Sequence, residues 1–148
     1  MINRSAGGDV IPWCDVHDTG VIVYSPMQSG LLTDSFSVER VSRMAEDDWR
    51  PRHSDEFRAP KLERNLALRD ALLPIAAKHG TTAAAVSVAW TLAWPGVTGA
   101  IVGARSPEQV DGWLGAATLV LDGHDLESIA AAIERTGAGS GPTAPTGT

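Results

Sequence analysis

The residues best placed to do chemistry are Gly103-Ala104-Arg105-Ser106-Pro107-Glu108-Gln109. They lead from an apolar stretch, Thr98-Gly99-Ala100-Ile101-Val102, into a serine followed by proline and then glutamine, the pattern of a capping box with proline at the first helical position. A helix start presents free N–H groups and partial positive charge, so it favours an anion. Arg105 adds a fork of donors matched to phosphate or carboxylate. On spacing alone this is either an anion site or an ordinary strand-to-helix turn with an exposed arginine.

Other constellations are weaker. No H-E-x-x-H, paired C-x-x-C or G-x-S-x-G occurs, which removes zincin, zinc-ribbon and nucleophile-elbow chemistry. Gly137-Ala138-Gly139-Ser140-Gly141 follows a helix and leads into Pro and Thr, so it reads as a flexible tail and not as a phosphate cradle. His53, Asp55 and Glu56 share one polar loop without a second cluster, so they read as solvated and no metal is expected. Acidic residues outnumber basic ones by 18 to 12, a net charge of -6, which disfavours nucleic acid and anionic lipid as partners. The single cysteine, Cys14, and the absence of a leader-like opening point to a reducing cytoplasm. The most apolar run, residues 83–94, is broken by Ser87 and Thr91 and is shorter than the roughly 18 residues of a membrane span.

The elements that must position Arg105 follow from periodicity. Val10, Trp13, Cys14 and His17 fall on one helical face, giving a helix over 9–17. Val21-Ile22-Val23-Tyr24 has no polar alternation and reads as a strand buried on both faces. A turn-rich loop, residues 25–30, opens a polar segment that reaches about Pro60, with a short helix over 38–45 and loop over 47–53. Leu62, Leu66, Leu73 and Ala76 mark a helix stopped by Gly80. Thr81 then caps another, whose inward face is Val86, Ala89, Trp90 and Ala93. After the strand at 98–102, Val110, Trp113, Leu114 and Ala117 face inward. A last helix from Asp122 buries Leu126, Ile129, Ala130 and Ile133. Residues 1–135 form the expected domain and 136–148, built from Thr, Gly, Ala, Ser and Pro, a disordered tail. The alternation implies parallel α/β architecture, although two strands make a poor sheet.

Two motifs resemble an aldo-keto reductase: Gly20-Val21-Ile22-Val23-Tyr24-Ser25-Pro26-Met27-Gln28-Ser29-Gly30-Leu31-Leu32-Thr33, and Gly99-Ala100-Ile101-Val102 with the Arg105 segment. Leu62-Glu63-Arg64-Asn65-Leu66 and Ala89-Trp90-Thr91-Leu92 extend the likeness between them. The resemblance, to the C-terminal part of a bacterial NADP-dependent member, implies strands seven and eight of a (β/α)8 TIM barrel. A whole barrel needs about 250 residues, so this one would be incomplete. It further implies NADP(H) as cofactor, with Tyr24 stacking on the nicotinamide ring. Ser25, Met27, Gln28, Ser29, Gly30 and Leu31 would contact the pyrophosphate. Gly103, Ala104 and Arg105 would hold the ribose and its 2'-phosphate, and Gln109 would touch the adenosine side. The alternative for Tyr24 is barrel lining, and for Gln109 a capping partner. Relatives often carry Glu-Asn where this chain has Gly112-Trp113.

In that family, catalysis depends on an Asp, a proton-donating Tyr, a Lys and a His from earlier in the barrel. Here the only tyrosine is Tyr24, already matched elsewhere, and the only lysines, Lys61 and Lys78, flank a helix expected on the outside. No catalytic residue is therefore assigned. The expectation is a cofactor-binding part that is inactive alone and meets a carbonyl substrate only when the other half is supplied. The alternative is a non-catalytic nucleotide-binding or oligomerising module, since open strand edges favour self-association.

Overall fold

In the computed structural model, which describes residues 1–145, the expected order of elements is present. Helix α1 (Val10–Val16) leads into strand β1 (Val21–Tyr24). Short helices α2 (Val38–Ser42) and α3 (Trp49–His53) follow, then the long α4 (Lys61–Lys78) and α5 (Ala83–Leu92). Strand β2 (Val97–Ile101), α6 (Pro107–Leu114) and α7 (Gly123–Thr136) complete it. The strands pair in parallel, with Tyr24 opposite Ile101. Their carboxyl ends therefore lie side by side, and the loops that leave them share one edge of the molecule.

Helix α5 is the hub. Its residues 83–91 are all buried, and the main core gathers Leu68, Leu72 and Ile75 of α4, Ile129 and Ile133 of α7, and Trp94 around it. Thr82, not the expected Thr81, caps it, its hydroxyl accepting from Ala85 N at 3.0 Å. A second, smaller cluster of Leu31, Phe36, Phe57, Leu62 and Leu66 lies beneath the long loop and gives that loop a core of its own.

Several expectations are corrected. The strands form an unclosed two-stranded sheet covered on one side only, so β1 is not buried on both faces: Ile22 and Tyr24 are 67% and 79% exposed. The stripe expected on α1 is mostly solvent-facing, with only Cys14 half-buried. Val10 and Trp13 are exposed, and Ile11 is the buried residue. In α4, Leu73 faces solvent and Asn65 and Arg69 are buried. Residues 49–53, read as loop, form α3, because the Asp48 carboxylate accepts from Arg50 N at 3.0 Å and Pro51 fits a first helical turn. Helix α6 ends at Leu114 and tightens into a 3-10 turn (Gly115–Ala117), which shifts the phase so that Ala116 is buried in place of Leu114 and Ala117.

The segment after Thr136, expected to lack order, lies against the start of the chain. Ala138 is buried, and Arg4 N donates to Ser140 O at 2.8 Å while Ser140 N donates to Ile2 O at 3.0 Å. The buried Arg4 guanidinium donates to the carbonyls of Met1 (2.6 Å), Ala138 (3.1 Å) and Pro142 (2.8 Å). Residues 146–148 of the expected tail lie outside the described residues.

Candidate functional site

The loop after β1 is wound tightly and pinned from below. Ser25, Gln28 and Ser29 all take left-handed backbone angles, with φ of 54°, 47° and 54°, a conformation that costs non-glycine residues free energy and clusters at ligand-holding turns. Gln28 N donates to Ser25 O at 2.9 Å, and Ser87 Oγ, buried in α5, donates to Pro26 O at 2.8 Å. Pro26 and Met27 are buried and Leu31 is inaccessible in the second cluster, so the loop is held by its apolar residues.

After β2, Gly103, Ala104 and Arg105 are exposed and Pro107 opens α6. The capping box expected here is not formed. Ser106 makes no side-chain bond to the helix backbone, and Gln109 Oε1 instead accepts from Arg105 N at 2.8 Å, fixing the backbone one residue earlier. The nearby Ser106 hydroxyl favours the charged form of Glu108 and holds its carboxyl below the usual range. The capping box appears instead at α7, between Asp122 and Asp125.

These two loops border one cavity of about 750 Å³. Tyr24, Ser25, Met27, Ser29, Gly30, Gly103, Ala104, Arg105 and Gln109 line it together. Leu31 does not, since its side chain is in the core. Gln28 faces a second cavity of about 510 Å³ across the β1 loop, which shares Tyr24, Ser25 and Ser29 with the first. Gly112 and Trp113 complete the far wall, and the Thr82 hydroxyl joins that wall to α5 through the Gly112 carbonyl.

The long segment 33–59, whose position and length suggest that it folds over the site, supplies a further wall through residues that sequence reasoning did not single out: Thr33, Asp34, Ser35, Phe36, Arg40, Trp49 and Arg50. Asp48 and Arg50 form a two-pronged pair, with Nε to Oδ1 at 2.9 Å and Nη2 to Oδ2 at 2.6 Å. Hydrogen bonds from Arg50 hold the Asp48 carboxyl down at about 2, and Arg105 adds a smaller attraction. The signal was the Asp-Trp-Arg-Pro order, an N-cap followed by a proline in the first turn.

Lys61 and Lys78 line neither cavity. Lys61 pairs with Asp55 and Glu56, Lys78 with Asp122 and Asp125, and neither approaches Tyr24 as a catalytic partner. Asp122, His124 and Asp125 are the metal-like grouping among the described residues, away from the cavity. The Asp125 oxygens are already engaged by Lys78 at 2.8 Å and His79 at 2.7 Å. His53, Asp55 and Glu56 form no such grouping. No described helix is long and apolar enough to cross a membrane.

Residues 1–134 match the model of the aldo/keto reductase family. The chain belongs to the aldo/keto reductase family. It is 25% identical over 142 residues to the NADH-specific methylglyoxal reductase of Escherichia coli, covering 91% of this chain and 41% of that one. With a putative voltage-gated potassium channel subunit beta of Schizosaccharomyces pombe it shares 29% identity over 104 residues, covering 69% of this chain and 30% of the other. Its fold superposes on a glycerol dehydrogenase from Gluconobacter oxydans with a TM-score of 0.79 and 28% identity, covering 97% of this chain and 42% of that structure. The chain thus spans well under half the length of each of these proteins, and its α/β fold with an unclosed sheet matches part of the glycerol dehydrogenase.

Proposed function

We propose that this chain is the cofactor-binding part of an NADP(H)-dependent carbonyl/alcohol oxidoreductase of the aldo/keto reductase family, with β1 and β2 as strands seven and eight of its (β/α)8 barrel. One observation carries the reading. The exposed Tyr24 ring, the turn at 25–30 and the Arg105 loop open onto the same cavity of about 750 Å³, within the roughly 300–1,000 Å³ typical of ligand sites. Backbone groups of the turn and the Arg105 guanidinium suit phosphate oxygens, and the Tyr24 face suits a flat ring. Arg105 forms no ion pair among the described residues, so its charge is available to a 2'-phosphate.

A nicotinamide cofactor held by the turn at 25–30 and the Arg105 loop would supply the hydride needed to reduce a carbonyl carbon. On this reading the chain's residues bind and orient, and protonation of the carbonyl oxygen, which requires a donor within hydrogen-bond reach, is assigned to none of them. Alone, the chain is expected to show no turnover of a generic aldehyde with NADPH. It is expected to prefer NADPH to NADH in titration calorimetry, and Arg105→Ala to lose most of that preference, about tenfold for one charge-assisted contact. Equal affinity of the parent chain for both cofactors would sink the 2'-phosphate assignment, and turnover well above a heat-treated control would overturn the division of labour.

The second reading is a non-catalytic nucleotide-binding or oligomerising module. It is supported by the exposed strand face of Ile22, Tyr24 and Ile101 and by the likeness to a protein named as a channel subunit. Sedimentation would favour it if the chain assembled into a defined oligomer that still bound NADPH.

A further inference from the structure

Three arginines line the large cavity. The Arg50 charge is committed to Asp48, but Arg40, like Arg105, has no carboxylate partner among the described residues. In a chain of net charge -6, two unpaired guanidinium groups on one cavity suit a ligand with more than one anionic group.

The long Arg40 side chain is steadied by two contacts. Its guanidinium carbon lies 5.5 Å from the centre of the Phe36 ring, and Nη1 donates to Ser35 Oγ at 3.1 Å. Both contacts depend on where residues 33–36 run, and that course is set from below. Arg69, buried on α4, directs Nη1 at the carbonyls of Thr33 (3.0 Å), Asp34 (3.2 Å) and Phe36 (2.8 Å), while its Nε pairs with Asp70 at 2.6 Å. A buried guanidinium must satisfy its donors, so it gathers the carbonyls of the turn about one nitrogen. The Asp34 side chain adds a second tie by accepting from Ala83 N at 2.9 Å, at the start of α5.

We propose that Arg69 is a positioning residue of the cavity: by gathering three backbone carbonyls it sets the first turn of the long loop, so that Arg40 serves with Arg105 as a second cation for a phosphate-bearing nucleotide. This rests on the nucleotide reading above. Three carbonyls converge on one nitrogen, so an ammonium, with three N–H donors on a single atom, reproduces the clamp, whereas an apolar side chain of similar length does not.

The test uses the full 148-residue chain with 2'-phospho-ADP-ribose as the probe, by titration calorimetry under conditions where urea curves show each variant folded. Arg69→Met and Arg40→Ala are each expected to weaken binding about tenfold. Arg69→Lys should stay within about threefold of the parent, and the double variant Arg69→Met/Arg40→Ala should be no weaker than either single, since the two act as one unit. An Arg69 that only stabilised the fold would lower the urea midpoint and leave the affinity of folded protein unchanged, which overturns the proposal. Arg40 is exposed, so Arg40→Ala remains decisive even if Arg69→Met does not fold: unchanged affinity there also overturns it. A parent chain that fails to bind the probe brings down the nucleotide reading itself, whereas parent binding with unaffected variants refutes the Arg69 assignment alone.

Discussion

Ser87→Ala tests whether the core of this fold shapes its cavity. Ser87 is fully buried in α5, and its hydroxyl donates at 2.8 Å to the carbonyl of the buried Pro26. Removing the hydroxyl leaves that carbonyl without this donor in a place water does not reach, at a cost of about 1–3 kcal/mol. Alanine is the better helix former by about 0.5 kcal/mol, and this offsets only part of the loss. The net expectation is destabilisation by about 1–2 kcal/mol. With a urea slope of about 1.5 kcal/mol/M, the midpoint falls by about 1 M. The consequence reaches the site, because Ser25, Gln28 and Ser29 on either side of the anchored carbonyl hold left-handed backbone angles that they would relax if freed. Folded Ser87→Ala should therefore bind 2'-phospho-ADP-ribose more weakly than the parent. A variant as stable as the parent, with the same affinity, would show that the Pro26 carbonyl does not rely on Ser87, and the anchoring argument would fail.

Two further outcomes probe the frame. Gly139 has a φ of 64°, and a β-carbon there would lie 2.0 Å from Ile2 O, so Gly139→Ala should cost about 2 kcal/mol or more and expose the amides of Arg4 and Ser140 to rapid hydrogen exchange. Protection unchanged at both amides would mean that the segment is not docked as described. For Asp125, burial alone would raise the pKa, but hydrogen bonds from Lys78, His79 and the Asp122 backbone outweigh it and hold the carboxyl at about 2 against an ordinary 3.8. A folded pKa below the unfolded one gives stability that is complete above about pH 4 and lost as the pH falls towards 2. Urea midpoints measured from pH 5 to pH 2 should therefore fall more steeply in the parent than in Asp125→Asn, and parallel slopes would refute the linkage.

The cavity separates what local sequence determines from what it leaves open. The strand over 21–24 and the start of α6 after Ser106 were legible because their signals are local: β-branched residues in one case, proline after a cap in the other. The family resemblance, and not a local signal, named most of the residues that line the cavity from the two strand ends, and the parallel pairing carries both loops to one edge. The burial of Arg69 was not legible. A charged residue on a helix reads as solvent-facing by type, and only the long-range meeting of α4 with residues 33–36 gives it three carbonyls to satisfy. The exposed faces failed for the converse reason. Ile22, Tyr24 and Trp13 carry the pattern of buried positions, yet they stay exposed among the described residues. Periodicity records what a face is fitted to meet, and the structure records what this chain provides to meet it. The apolar strand face, next to a cavity lined by Arg40 and Arg105, which have no carboxylate partner among the described residues, is where those two records diverge.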